Sequence, residues 1–291
     1  MKYLGPKQIA SRAAQLERNK SKKRRQRRAL IYLLIIAALC VAGWRVYPRL
    51  KNKSKPLNQK SAVATVTPLP SPTPVPQLRD FTAEEFRNLY NSFAYPNTEQ
   101  TDTPPSITGD PDTDNHIREL AEARGYRLRN IARGDLATID DVQLQPLAIQ
   151  PWAELKSQAQ AAGLSLSLTA GFRSYDDQDQ LFLDEMDDQG IDRSAIIDGS
   201  QDEALQTAMN RVAPPGYSRH HTGFTVDMQC GSLGLYAFAD SDCYSWMSAD
   251  NFKVIKELGW VPSYPKGADL QGPEPEPWEF IWVGRPALTK H

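Results

Sequence analysis

The chain is 291 residues long and almost balanced in charge, with 34 Lys and Arg against 35 Asp and Glu. The balance averages two unlike parts: residues 1–60 hold 17 of the basic residues and one acid, Glu17, which leaves 17 basic against 34 acidic residues beyond them. The length allows two small domains or one domain with long appendages; a basic head and an acidic body seldom share one core, which favours appendages.

The head, residues 1–28, ends in Lys22-Lys23-Arg24-Arg25-Gln26-Arg27-Arg28, and a charge-free apolar run from Ala29 to Trp44 follows at once. With Arg45 snorkelling and Tyr47 at the interface, residues 29–47 are expected to form one transmembrane helix. Val41-Ala42-Gly43 is a weak cleavage site, and Leu39 is too bulky to precede a lipidated Cys40, so the span reads as an uncleaved anchor. Eleven basic residues precede the apolar run and six, counting Arg45, lie between Trp44 and residue 60, which puts the N-terminus in the cytoplasm and the body outside, at the plasma membrane. The basic run reads as a juxtamembrane cluster, and no nucleic acid partner is expected.

Residues 48–79 are rich in Lys, Ser, Thr and Pro, centred on Pro68–Pro76, and read as an extended linker. Residues 80–130 read as a helical N-terminal extension and 131–291 as a catalytic domain. Thr82 and Glu85 form a capping box, Phe81 and Phe86 a hydrophobic staple, and Phe86, Leu89, Tyr90 and Phe93 the apolar stripe of a first helix. A second helix is expected over 115–124, ended by Gly125.

The domain then alternates: a helix over 152–162, a strand over 164–170, a helix capped by Ser174 and running to Asp188, and a helix opening at Ser200–Glu203. A strand over 222–228, a short helix over 250–258 closed by Gly259 and a last strand over 278–283 complete the order. Without a regular β-α-β repeat the class is α+β, a small antiparallel sheet with flanking helices, preceded by the transmembrane helix and the Pro-rich linker. Cys40 lies in the span, so Cys230 and Cys243 are the body's only cysteine pair, a disulfide in an oxidising compartment or two buried thiols.

Three segments concentrate unusual residues: Gly171-Phe-Arg-Ser-Tyr-Asp-Asp-Gln178, Ser218-Arg-His-His-Thr-Gly-Phe-Thr-Val-Asp227 and Glu276-Pro-Trp-Glu-Phe-Ile-Trp-Val-Gly284. His220 and Asp227 are zinc-type ligands, and also residue types common at a surface and in a turn. His221 cannot easily face the same way as its neighbour, so one of the two points at any common centre. Glu279 shares a strand face with Ile281 and Val283, where a carboxylate is costly unless a metal ion or an arginine such as Arg173 meets it. Glu276 is either a solvated loop acid or a group that exchanges protons with a metal-activated water.

Ser218-x-His220-x-x-Gly223-x-x-x-Asp227 resembles a signature of VanY-like zinc D-alanyl-D-alanine carboxypeptidases, with Thr225 where alanine is usual. Gly171-Phe-Arg-Ser-Tyr-x-x-Gln178 and Glu276-Pro-Trp278 resemble two further motifs of that family, in the same order. The resemblance implies metal ligation by His220 and Asp227, acid and base work by Glu276, recognition of a substrate carboxylate or oxyanion by Arg173, and substrate binding by Ser218 and Gln178. Glu279 stands where the family has its third histidine ligand. Glutamate also ligates zinc, so the expected set is His220, Asp227 and Glu279 around Zn2+ or another divalent ion. The implied activity is removal of a terminal D-Ala from peptidoglycan stem peptides; the alternative is a weakened or inactive homologue that still binds cell-wall peptides.

Overall fold

The computed structural model describes residues 77–100, 103–269 and 271–290. The expected span at 29–47 and most of the linker lie outside these residues; among those described, no helix is long and apolar enough to cross a membrane.

Helix α1 (Ala83–Ser92) starts on the expected capping box, with Thr82 and Glu85 bonded reciprocally and Phe81 stacked on Phe86 at 4.9 Å. A two-residue strand β1 (Thr98–Glu99) precedes α2 (Pro111–Ala123). This helix begins four residues before the expected start, because Asp110 caps it through the Thr113 amide and Pro111 occupies its first turn. Strands β2 (Ile131–Ala132), β3 (Ala137–Ile139) and β4 (Val142–Leu144) follow; β2 pairs with β1 and β4 with β3. Helix α3 (Pro146–Ala161) also starts early, at a proline in its first turn, and runs through Pro151.

The main sheet has four antiparallel strands in the order β5 (Leu166–Ala170), β6 (Thr225–Cys230), β8 (Glu279–Trp282), β7 (Trp260–Pro262). Between β5 and β6 lie α4 (Tyr175–Asp188) and α5 (Asp202–Met209); α6 (Asp242–Lys256) follows β6. The expected helix over 250–258 is the second half of α6, which breaks at 249–252, where Asp250, Asn251 and Phe252 take positive φ. The break is used: the Asn251 side chain accepts from the Phe81 amide (3.0 Å) and donates to the Phe81 carbonyl (2.8 Å). The fold is therefore the expected mixture of helices and a small antiparallel sheet.

Two apolar clusters form the core. The larger joins α1 (Phe86, Tyr90), α3 (Trp152, Leu155) and the sheet (Leu168, Val226, Met228, Phe280) with Trp260. Trp152 and Trp260 are fully buried, and a large buried aromatic contributes about 3–5 kcal/mol over alanine. The smaller cluster joins α2, α4 and α5 through Ile117, Phe182, Met186 and Leu205. On the sheet, Val226 is paired with Phe280 and Leu168 with Met228, facing the larger cluster. Alternation sends Asp227 and Glu279, themselves register partners, to the opposite face.

Candidate metal centre and its cleft

That opposite face forms the floor of a cleft of about 190 Å³. Arg173, Ser218, His220, Asp227, Glu276 and Glu279 all line it, so six of the seven expected site residues meet there. The seventh, Gln178, is fully buried behind Arg173: its carbonyl accepts from Arg173 Nη1 (2.7 Å) and its amide donates to the Ala213 carbonyl (2.6 Å). Its place is support for Arg173.

His220 is delivered by a tight 3-10 turn, Arg219–Thr222, capped by Ser218 and closed by Gly223 at φ 73°. A β-carbon at Gly223 would be strained by that φ and would press on Gln145 at 3.1 Å, which explains the glycine. The ring of His220 has a defined tautomer. Nδ1 lies 2.6 Å from the carbonyl of Gly171, an acceptor only, so Nδ1 carries the proton and donates it. Nε2 is turned to the carboxylates, 3.4 Å from Asp227 Oδ1 and 3.3 Å from Glu279 Oε2. In the neutral ring, three lone-pair atoms then face one another, an arrangement stable only with a cation or an extra proton between them.

Two further observations fit a cation. Ligand atoms of His220, Asp227 and Glu279 all lie within 4.8 Å of one another, and Asp227 Oδ1 is buried without a hydrogen-bond partner. The proton affinities agree. Burial alone would lower the His220 value, but the Asp227 carboxylate outweighs it and the imidazole rises to about 10. Glu279 is held down at about 2, against its burial, by the hydrogen bond to His220 and the charge of Arg219. Glu276 is driven well above the usual carboxylate range by burial, with the charges of Glu279 and Asp227 adding. The cage draws positive charge.

His221 turns away, as adjacency requires. Its Nδ1 donates to the Arg173 carbonyl (2.8 Å) and its Nε2 accepts from the Gly216 amide (3.1 Å), tying together the loops that carry Arg173 and Ser218. Burial holds its value down to about 3, so the ring is neutral.

One expectation is corrected. The arginine that meets Glu279 is Arg219, not Arg173: Arg219 Nη1 donates to Glu279 Oε1 at 3.3 Å, both side chains being 4% exposed. The guanidinium lies 3.9 Å from the ring centre of Tyr264 and 4.9 Å from that of Tyr90, and its Nη2 donates to Tyr90 Oη and the Gln271 carbonyl, each at 3.2 Å. Arg129 is a second unforeseen lining residue, its Nη1 bonded to Asn91 on α1 at 2.7 Å. The available signal for Arg219 was its position beside the ligand histidine, combined with the need of Glu279 for a cation. Beyond the site, Cys230 and Cys243 form a disulfide with Cα atoms 5.8 Å apart.

The imidazole on the 219–222 turn and the two carboxylates on one sheet face, next to the half-buried Glu276 and an arginine, form a donor set of the kind that holds a divalent ion. The family model described as "VanY: D-alanyl-D-alanine carboxypeptidase" matches residues 141–285, and through this segment the chain belongs to that family. The "Putative carboxypeptidase YodJ" of Bacillus subtilis is 30% identical over 133 residues, covering 44% of this chain and 42% of that protein. A D-alanyl-D-alanine carboxypeptidase of Enterococcus faecalis is 26% identical over 160 residues, covering 52% and 55%. The chain thus spans about half the length of the curated relatives it matches. Among solved structures, a Zn(II) complex of the vancomycin-resistance D,D-pentapeptidase VanY is similar at 19% identity and TM-score 0.44, covering 57% of this chain and 90% of that one. The LD-carboxypeptidase LdcB is similar at 23% identity and TM-score 0.41, covering 56% and 70%.

Proposed function

We propose that this protein is a membrane-anchored carboxypeptidase that removes a terminal D-Ala from peptidoglycan stem peptides, with zinc or another divalent ion held by His220 Nε2, Asp227 and Glu279. The observation that carries the reading is the convergence of three ligand atoms around a His220 whose Nδ1 is already committed to Gly171. A bound divalent ion supplies Lewis-acid polarisation of the scissile carbonyl and a more acidic water.

The chain's own groups do the rest. Glu276, half-buried in the cleft and of high proton affinity, takes a proton from the attacking water and returns it to the leaving amine. Arg173, held by Gln178, offers its guanidinium to the peptide's terminal carboxylate or to the developing oxyanion. Ser218 presents its side chain at the cleft beside His220 and contributes to substrate binding. The helix at 29–47 would anchor the chain in the plasma membrane with its N-terminus in the cytoplasm, and the linker would let the domain reach the wall.

A second reading, a domain that binds cell-wall peptides without cleaving them, draws on the Arg219–Glu279 ion pair, which satisfies Glu279 in part without a metal. One experiment separates the two. The detergent-solubilised full chain is stripped of metal, reloaded with zinc and incubated with a pentapeptide stem, and the product is weighed. Loss of one alanine dependent on zinc supports the peptidase; peptide retention with no mass change and no bound ion supports the binding domain.

A further inference from the structure

A glutamate in place of a neutral histidine ligand adds a full negative charge to the coordination sphere. A divalent ion held by one imidazole and one carboxylate carries a net positive charge, whereas with a second carboxylate the same ion is formally neutral and a poorer Lewis acid. The structure supplies a cation at the point where that charge would otherwise be lost. Arg219 donates to Glu279 Oε1, which leaves Oε2 as the oxygen turned to His220 and the centre.

Arg219 is also unusually fixed. It is buried against the rings of Tyr264 and Tyr90, with Nη2 bonded to Tyr90 Oη and the Gln271 carbonyl. A guanidinium packed on two aromatic rings and hydrogen-bonded through Nη2 has little freedom to leave its carboxylate. Tyr90 belongs to α1, upstream of the family-matched segment at 141–285.

We propose that Arg219 is a positioning residue that makes glutamate workable as the third ligand. It orients Glu279 so that one oxygen faces the ion, and it cancels the extra negative charge, so that the Arg219–Glu279 pair takes the place of a single neutral imidazole. The clamp on Arg219 gives α1 a part in the site through Tyr90. This inference rests on the metal-centre reading above and deepens it.

The test is a double-mutant cycle read as metal affinity, by calorimetric titration of the metal-stripped full chain with zinc and with manganese. Glu279→His restores the family's usual ligand but leaves the buried Arg219 unpaired beside the ion. It is expected to weaken zinc binding at least about tenfold, and adding Arg219→Gln to it is expected to recover the affinity to within about threefold. In the otherwise unchanged chain, Arg219→Gln leaves two uncompensated carboxylates and is expected to raise manganese affinity relative to zinc by about tenfold; Arg219→Lys, which keeps the charge, is expected to hold the ratio. A purely structural arginine would lower both affinities together. If Glu279→His folds poorly, the manganese-to-zinc ratios of the two Arg219 variants decide the matter. Zinc bound as tightly or more tightly by Glu279→His with Arg219 present, or an unchanged ratio in Arg219→Gln, overturns the inference and leaves the metal centre standing. No ion bound by the unaltered chain overturns the metal-centre reading itself.

Discussion

The carbonyl of Gly171 accepts the Nδ1 proton of His220 at 2.6 Å and so decides which nitrogen of the ring faces the carboxylates. Gly171 directly follows β5 under tight packing: a β-carbon there would lie 2.5 Å from the Gln143 carbonyl oxygen and 3.0 Å from Leu144. Gly171→Ala must therefore displace the strand end that carries the acceptor. Groups that orient a ligand histidine typically matter by about 10–100-fold in metal affinity or activity. The expected result is a loss in that range in zinc affinity, measured by competition with a chelator, together with a lowered thermal midpoint. Unchanged zinc affinity would mean that the ring does not need this acceptor.

Glu276 lines the cleft, half-buried and near the carboxylates of Glu279 and Asp227. If it exchanges the proton of the reaction, Glu276→Gln keeps the shape and removes the chemistry. The turnover of a pentapeptide stem should fall by about 10²–10⁴-fold while one zinc per chain is retained. Loss of the ion together with the activity would instead make Glu276 a ligand.

The most legible features were those encoded within a few residues. The Thr82–Glu85 box, the Ser174 cap and the three motif segments carry local signals, and each stands where the sequence placed it. The expected starts of α2 and α3 fall inside the real helices because each opens at a proline, Pro111 or Pro146, ahead of the apolar periodicity, and proline is favoured in a helix's first turn. α3 also runs through Pro151. The Arg219–Glu279 pair spans 60 positions and the Arg219–Tyr90 contact 129, so no periodicity could reveal them. What the chain order did offer was the requirement that Glu279 meet a cation; which arginine meets it was decided by the turn at 218–223.

Asp114, buried on α2, accepts from the Ile107 amide (2.9 Å), the Thr108 amide (2.6 Å) and the hydroxyls of Ser106 (2.9 Å) and Thr108 (2.7 Å). Burial pushes its proton affinity up, but these bonds together win and hold the carboxyl below its ordinary value of 3.8. The sign follows from linkage: a carboxylate more acidic in the folded chain stabilises it fully above the unfolded value and loses that contribution as pH falls through the folded one. Asp114→Asn should cost about 1–3 kcal/mol at neutral pH, and it should flatten the fall in stability below about pH 4. Urea denaturation midpoints between pH 2.5 and 7 test both. An equal drop at every pH would show that the bonds matter without the charge.

The disulfide closes a 13-residue separation from the end of β6 to the first turn of α6, and Asp227 lies three residues before Cys230 on that strand. A cross-link over a loop of this size restricts the unfolded chain and contributes roughly 3 kcal/mol. It also ties β6 to α6, whose broken second half grips the Phe81 backbone through Asn251. Its loss should therefore loosen the end of β6 more than the His220 turn, which is held separately by Gly171 and Gly223. Cys243→Ala is expected to lower the stability by about 2–4 kcal/mol in denaturant titrations, and reductant should lower the unaltered chain to the same level while leaving the variant unchanged. Zinc affinity in the folded variant should stay within about threefold. A much larger loss of zinc would show that the bond positions Asp227 directly, and a variant as stable as the unaltered chain would show that the bond contributes nothing to folding.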